Sequence, residues 1–237
     1  MSIIKKIVGE FLLLRKTIYH RLYITRSEEQ DIITSFHQLY YDSADVNKTW
    51  SDTYWMGTKI WKCPLDLWLY QEILYKLKPD LIIETGTAYG GSASYLASIC
   101  DLLDNGRIIT IDVEPNPDRP QHKRITYLTG SSVDKDIYAS VKEAVSSVKT
   151  VLVILDSDHH KNHVLKEMAL YGPLVTKGSY LIVEDTNMNG HPVYHDFGPG
   201  PKEAVEDFLK TDNQFSVDVK QEKFLLTFNP GGYLLKR

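Results

Sequence analysis

The sequence predicts a doubly wound α/β fold: a mostly parallel seven-stranded sheet with helices on both faces, preceded by an N-terminal helical extension. Three observations predict it. Short apolar runs at 81–83, 108–111, 151–155 and 180–183 alternate with stretches of helical spacing, the pattern of repeated βαβ units. The first run breaks into a glycine-rich turn, Gly86-Thr87-Ala88-Tyr89-Gly90-Gly91, that opens a helix. Successive runs end in acids: Glu84, Asp112, Asp156 and Glu184.

At 237 residues and 43% hydrophobic, the chain is long enough for one substantial core and short for two. The expected division is a helical and aromatic extension, 1–64, and a main domain, 65–237. A formal net charge of -4 and a pI near 6.1 leave no basic stripe to neutralise phosphates, which excludes a nucleic-acid partner. Cys63 and Cys100 show neither metal-ligand spacing nor a disulfide framework, so a reducing, cytoplasmic setting is expected.

The first 22 residues mix Ile3, Ile7, Phe11 and Leu14 with Lys5, Lys6, Arg15 and Lys16. This is an amphipathic helix whose apolar run is too short to span a bilayer and which lacks a small-residue cleavage site. It is expected to pack on the body or on a second subunit. A homo-oligomer without stable membrane insertion follows as the expectation. A second helix starts at Ser27, read as its N-cap, with Glu28 and Glu29 in the first turn. Between 40 and 64 the chain is aromatic and weakly periodic (Trp50, Tyr54, Trp55, Trp61), a segment suited to cover the core or form one wall of a pocket.

A helix at 65–77 stops at Lys78-Pro79-Asp80, and the sheet begins. Further strands are read at 107–112, 125–128, 151–155 and 180–183, with helices at 91–101, 134–148 and 161–171 between them. A loop rich in Gly, Pro and His, 188–201, precedes a helix at 202–209. Short strands are expected at 215–219, 224–228 and 233–235.

In such a sheet, ligands bind beyond the C-terminal strand ends. Gly86, Thr87, Gly90 and Ser92 form a turn that backbone and ligand can approach closely, without the G-x-G-x-x-G spacing of a dinucleotide site. An acid at Glu84 suits a ligand carrying an ammonium group, such as S-adenosylmethionine. Asp112 stands where a carboxylate meets a ribose hydroxyl pair, and Ser131 and Ser132 are small polar residues fit to line an adenine pocket. Glu84, Asp112, Asp156, Asp158, Glu184 and Asp185 at one edge would repel one another unless positive charge lies between them. One cationic cofactor and one metal are therefore expected. Asp158, Glu184 and Asp185 are hard oxygen ligands suited to magnesium. His159 and His160 would suit zinc or iron, but no second histidine pair at ligand spacing follows. Alternation along an extended segment places Asp156 and Asp158 on one side, so both are open as ligands.

Glu84-Thr85-Gly86-Thr87 with Gly90-Gly91-Ser92, Asp156-Ser157-Asp158-His159, Val183-Glu184-Asp185-Thr186 and Phe197-Gly198-Pro199-Gly200-Pro201 together resemble the cephalosporin hydroxylase and rhamnosyl O-methyltransferase family. The resemblance covers roughly 55–237. It implies a Rossmann-like, S-adenosylmethionine-dependent O-methyltransferase with a magnesium site, acting on a hydroxyl of a sugar or small natural product. It favours Asp158 as the ligand beside Glu184 and Asp185. Asp156, also near the cofactor, is left as general base, with His159 in reserve. Tyr194 and His195, on the loop after the fifth strand, are expected to face the acceptor as parts of a lid. Two other enzyme readings stand against this. A nicotinamide oxidoreductase lacks its glycine fingerprint here, and a metal-dependent hydrolase using the Asp-His cluster has no need of Glu84 or Asp112.

Overall fold

A computed structural model describes residues 3–237. The chain opens with three helices, α1 (Ile3–Tyr23), α2 (Arg26–Asp42) and α3 (Ala44–Asn47), and a small antiparallel hairpin, β1 (Tyr54–Trp55) with β2 (Thr58–Lys59). Thr25, rather than Ser27, caps α2. Its side chain accepts from the Glu28 amide while Glu28 reaches back to the Thr25 amide, a reciprocal capping box that satisfies two N-terminal donors. Helix α4 (Pro64–Leu77) starts with Pro at its first position, where no amide is needed.

The main sheet contains β3 (Leu81–Thr85), β4 (Arg107–Asp112), β5 (Ile125–Thr129), β6 (Val151–Leu155), β7 (Tyr180–Val183), β8 (Phe215–Val217) and β9 (Tyr233–Lys236). Between them lie α5 (Gly91–Leu102), α6 (Lys135–Val145), α7 (Lys161–Tyr171) and α8 (Pro201–Thr211). The strand order is β5-β4-β3-β6-β7-β9-β8, parallel from β5 to β7 and antiparallel at β9 and β8. The expected seven-stranded, mostly parallel sheet is thus present. Its order reverses between β3 and β6, and the crevice at that switch point opens above Gly86 and Asp156.

Both faces of the sheet are buried, which is why β6 reads as an unbroken apolar run and β3 as one up to Glu84. On one face Ile83, Val153 and Leu155 pack with Val164, Met168 and Phe208 of α7 and α8. On the other, Ile82, Leu152 and Ile154 meet Leu69 and Ile73 of α4 and Leu96 of α5. Each such side chain contributes roughly 1.5–3 kcal/mol by leaving water. A third cluster, with Tyr41, Cys63, Met188, Val193 and Phe228, ties the N-terminal helices to the C-terminal segment.

The strand expected at 224–228 does not form. Leu225 has φ 70, and the segment is held by a side chain instead: Thr227 Oγ1 and the Phe228 amide donate to the buried Asp66 carboxylate at 2.6 and 2.9 Å. The helix expected at 134–148 ends at Val145, within 135–145. Along α1, Ile7, Phe11, Leu13, Leu14, Ile18 and Leu22 are exposed. Among the described residues, no helix is long and apolar enough to cross a membrane.

Candidate active site

A cavity of about 640 Å³ lies over the C-terminal ends of the strands, with Tyr41, Trp50, Lys59 and Trp61 of the N-terminal segment as one wall. The glycine turn is its floor. Gly86 has φ 86, and a Cβ there would lie 1.8 Å from the Asp156 carbonyl oxygen, so no other residue fits between β3 and β6. A Cβ on Gly91 would lie 2.2 Å from the Lys59 carbonyl oxygen, which shows how closely β2 rests on the start of α5. Gly90, with φ 81, opens that helix but does not line the cavity.

Asp112, at the end of β4, holds the turn. Its Oδ2 accepts from the Thr87 and Ala88 amides at 3.0 and 2.8 Å and pairs with Arg119, while Oδ1 accepts from the Glu114 amide at 2.9 Å. Asp112, Thr87, Ser92, Ser131 and Ser132 all line the cavity. Glu84 does not: it is fully buried behind the wall, accepting from Ser92 Oγ on one oxygen and from Thr110 Oγ1 at 2.6 Å on the other. Burial pushes its carboxyl up, and Lys62 pulls it down. The acid expected to meet a ligand ammonium directly therefore stands one layer back, because Ser92 and Thr110 satisfy it from the helix and the neighbouring strand.

The ends of β6 and β7 bring Asp156, His159 and Asp185 together, with one ligand atom of each within 4.8 Å of the others. His159 Nε2 lies 3.3 Å from Asp185 Oδ2 and 3.8 Å from Asp156 Oδ1. Asp185 adopts φ 53, a conformation side chains seldom take, and its amide donates to Asn229 Oδ1 at 3.0 Å. Burial pushes the Asp156 carboxyl up to about 6, while Lys62 and His159 pull the other way; Asp185 is also raised by burial.

The expected metal set of Asp158, Glu184 and Asp185 is not what converges. Asp158 lines the cavity, but its carboxylate turns back to the His160 amide at 2.9 Å and lies 2.6 Å from His160 Nδ1, half exposed. Alternation would have placed it beside Asp156 only in extended chain. After Leu155 the backbone instead turns into α7, which makes residues i and i+3, Asp156 and His159, the neighbours. Glu184 is buried, its Oε1 accepting from Lys62 Nζ and from Tyr70 OH at 2.7 Å.

Lys62 itself was not anticipated. This buried ammonium, just before α4, contacts both Asp156 and Glu184. Burial works to discharge it, but Asp156, Glu184 and Glu84 outweigh burial and raise its pKa. Part of the positive charge demanded by the clustered acids is therefore supplied from within the chain, 94 residues from Asp156 and 122 from Glu184. No local pattern marks that pairing; the excess of acids at the strand ends was its one signal.

The loop 188–201 contributes Met188 to the cavity, whereas Tyr194 and His195 do not line it. Tyr194 is 52% exposed, and its amide donates to Asp42 of α2 at 3.1 Å. Gln38 donates to the Pro192 carbonyl at 3.0 Å, and Glu203 accepts from Asn189 at 3.0 Å and lies 2.8 Å from His191 Nε2. These anchors draw the loop toward α2 and α8, so the two side chains expected at the acceptor point elsewhere.

The model of the family described as rhamnosyl O-methyltransferase/CmcI matches residues 47–237, the glycine turn, Lys62 and the acidic cluster included. The chain belongs to that family. The rhamnosyl O-methyltransferase of Mycobacterium tuberculosis is 40% identical over 212 residues, covering 86% of this chain and 85% of the relative. That of Mycobacterium leprae is 36% identical over 212 residues, covering 87% and 91%. A solved structure of CmcI with Mg and SAM aligns with a TM-score of 0.60 at 20% identity, over 79% of this chain and 77% of that one, a likeness of fold. The family member described here is therefore an O-methyltransferase, as its motifs led us to expect. Helices α1 and α2 precede the matched span, yet Tyr41 of α2 still reaches the cavity wall.

Proposed function

We propose that this O-methyltransferase moves a methyl group from S-adenosylmethionine to a hydroxyl of a sugar or small natural product, with a magnesium ion at the acceptor. The observation that carries the reading is the meeting of Asp156, His159 and Asp185 in the cavity whose floor is the glycine turn. The residues fit both groups. A turn with no room for a Cβ, the strand-end acid Asp112 and a pair of serines suit the donor. Two carboxylate oxygens suit magnesium, and an imidazole suits it less, so Asp156 and Asp185 are assigned to the ion and His159 is left as the base. The CmcI structure named above holds both Mg and SAM, which supports the same pairing here.

Bound, S-adenosylmethionine supplies an electrophilic methyl group, and magnesium supplies charge that lowers the pKa of an acceptor hydroxyl. The protein's own part is positional. Lys62 and the backbone turn fix Asp156, the Asn229 side chain fixes the Asp185 backbone, and His159 Nε2 stands beside both carboxylates to take the hydroxyl proton. Aromatic residues of the N-terminal part, Tyr41, Trp50 and Trp61, form a wall suited to the apolar face of a sugar. The two-part division, 1–64 and 65–237, is retained in the sense that the first part supplies this wall. The exposed apolar rows of α1 and of Ile32, Phe36 and Leu39 on α2 support self-association.

The test is transfer of labelled methyl from S-adenosylmethionine to rhamnosyl glycosides, with magnesium or with a chelator. The proposal expects sugar-linked label that chelation removes, and a turnover loss of roughly 10² in His159→Ala. Cleavage of the glycoside without label transfer would favour the hydrolase instead.

A further inference from the structure

The cavity has four acidic side chains in its wall, Asp112, Asp156, Asp158 and Asp185, and its basic groups are mostly spoken for. Lys62 is paired with Asp156 and Glu184, His159 lies against Asp185, and His163 lies 3.5 Å from Glu167. Lys59 is different. Among the described residues, no carboxylate forms an ion pair with it.

Its position is nonetheless fixed. As the last residue of β2 it lies on the start of α5, its carbonyl oxygen against Gly91. Its Nζ sits 5.3 Å from the centre of the Trp61 ring and 5.5 Å from that of Tyr89, two rings that meet edge to face at 5.0 Å. A lysine side chain ordinarily loses considerable freedom when a ligand captures it. Here the two rings hold the ammonium beforehand, and Tyr89 belongs to the glycine turn itself. Among the cavity's own side chains, the four acids repel an anionic ligand group and this unpaired ammonium attracts it.

We propose that Lys59 receives a carboxylate, and that this is the carboxylate of the amino-acid end of S-adenosylmethionine. The inference rests on the donor assigned above and adds the residue that orients it. With the carboxylate at Lys59 beside the glycine turn, the ammonium and sulfonium of the same ligand are left to the acidic side of the cavity. An acidic group on the acceptor is the other source of the same chemistry.

Calorimetric binding separates these without any turnover. S-adenosylhomocysteine carries the carboxylate; 5′-methylthioadenosine lacks the whole amino-acid end and reports on fold and on the nucleoside pocket. Lys59→Met is expected to weaken S-adenosylhomocysteine by at least about tenfold and leave 5′-methylthioadenosine within about twofold, and Lys59→Arg is expected to restore most of the loss. Unchanged S-adenosylhomocysteine affinity in Lys59→Met would overturn the proposal and turn attention to an acidic acceptor. Equal weakening of both ligands would overturn it too, since Lys59 would then shape the cavity rather than hold a carboxylate. If the wild-type protein bound neither ligand, the donor assignment would fail, and the inference with it.

Discussion

Asp156 and Asp158 differ by two positions and by everything that matters chemically. Asp156 shares a buried ammonium with Glu184 and faces His159, whereas Asp158 is half exposed and satisfied by its own turn. Asp156→Asn should therefore weaken divalent-ion binding by at least about tenfold, while Asp158→Asn should stay within about threefold, as read by calorimetry with Mn²⁺. Equal losses would return Asp158 to the metal site. Because burial raises Asp156 to about 6, a proton competes with the ion in acid, and the wild-type affinity should fall as pH drops through that value. The sequence made both acids visible and left their roles undecided, since the choice depends on whether the chain stays extended past Leu155. Lys62 was illegible for a different reason: one lysine among aromatic and polar neighbours finds its acids only after the sheet has formed.

Among the elements, those whose own residues bury both faces were legible from pattern alone. Strand β6 needs nothing but its five apolar side chains. Segment 224–228 looks equally strand-like, yet Asp66, 161 residues from Thr227, captures its backbone and hydroxyl and removes it from the ladder. Helix α2 is docked in a comparable way. Its buried His37 accepts from Asn187 Nδ2 at 2.9 Å and stacks on Phe228 at 6.0 Å, and burial pushes its pKa down to about 4. The neutral ring is the form the fold holds. This contribution is therefore complete above the ordinary histidine value near 6.5, and it is lost as pH falls from there through about 4, reaching roughly 3 kcal/mol at most. Unfolding midpoints in denaturant should accordingly decline with acid more steeply in the wild type than in His37→Phe, which keeps the stack and cannot ionise. Parallel declines would mean that His37 is not the group responsible.

For the molecule as a whole, the doubly wound sheet brings β3, β4, β6 and β7 to one edge, and the chain's first sixty or so residues close that edge with rings and two lysines. The candidate site is thus split between a sheet that sequence periodicity reveals and a cover whose path it does not. The aromatic segment 40–64 reads as cover for the core or a pocket wall, but which of its residues line the cavity, Tyr41, Trp50, Lys59 and Trp61, depends on long-range packing that a weakly periodic segment does not encode. In the proposed function a donor and a divalent ion occupy adjoining parts of that cavity, the ion at Asp156 and Asp185. Anomalous diffraction from crystals grown with S-adenosylhomocysteine and Mn²⁺ tests it most directly. The Mn²⁺ peak is expected between the Asp156 and Asp185 carboxylates, with the nucleoside along Ser131 and Ser132 and the amino-acid end at Lys59. A peak at Asp158 with none at Asp185, or a nucleoside bound away from the glycine turn, would contradict it.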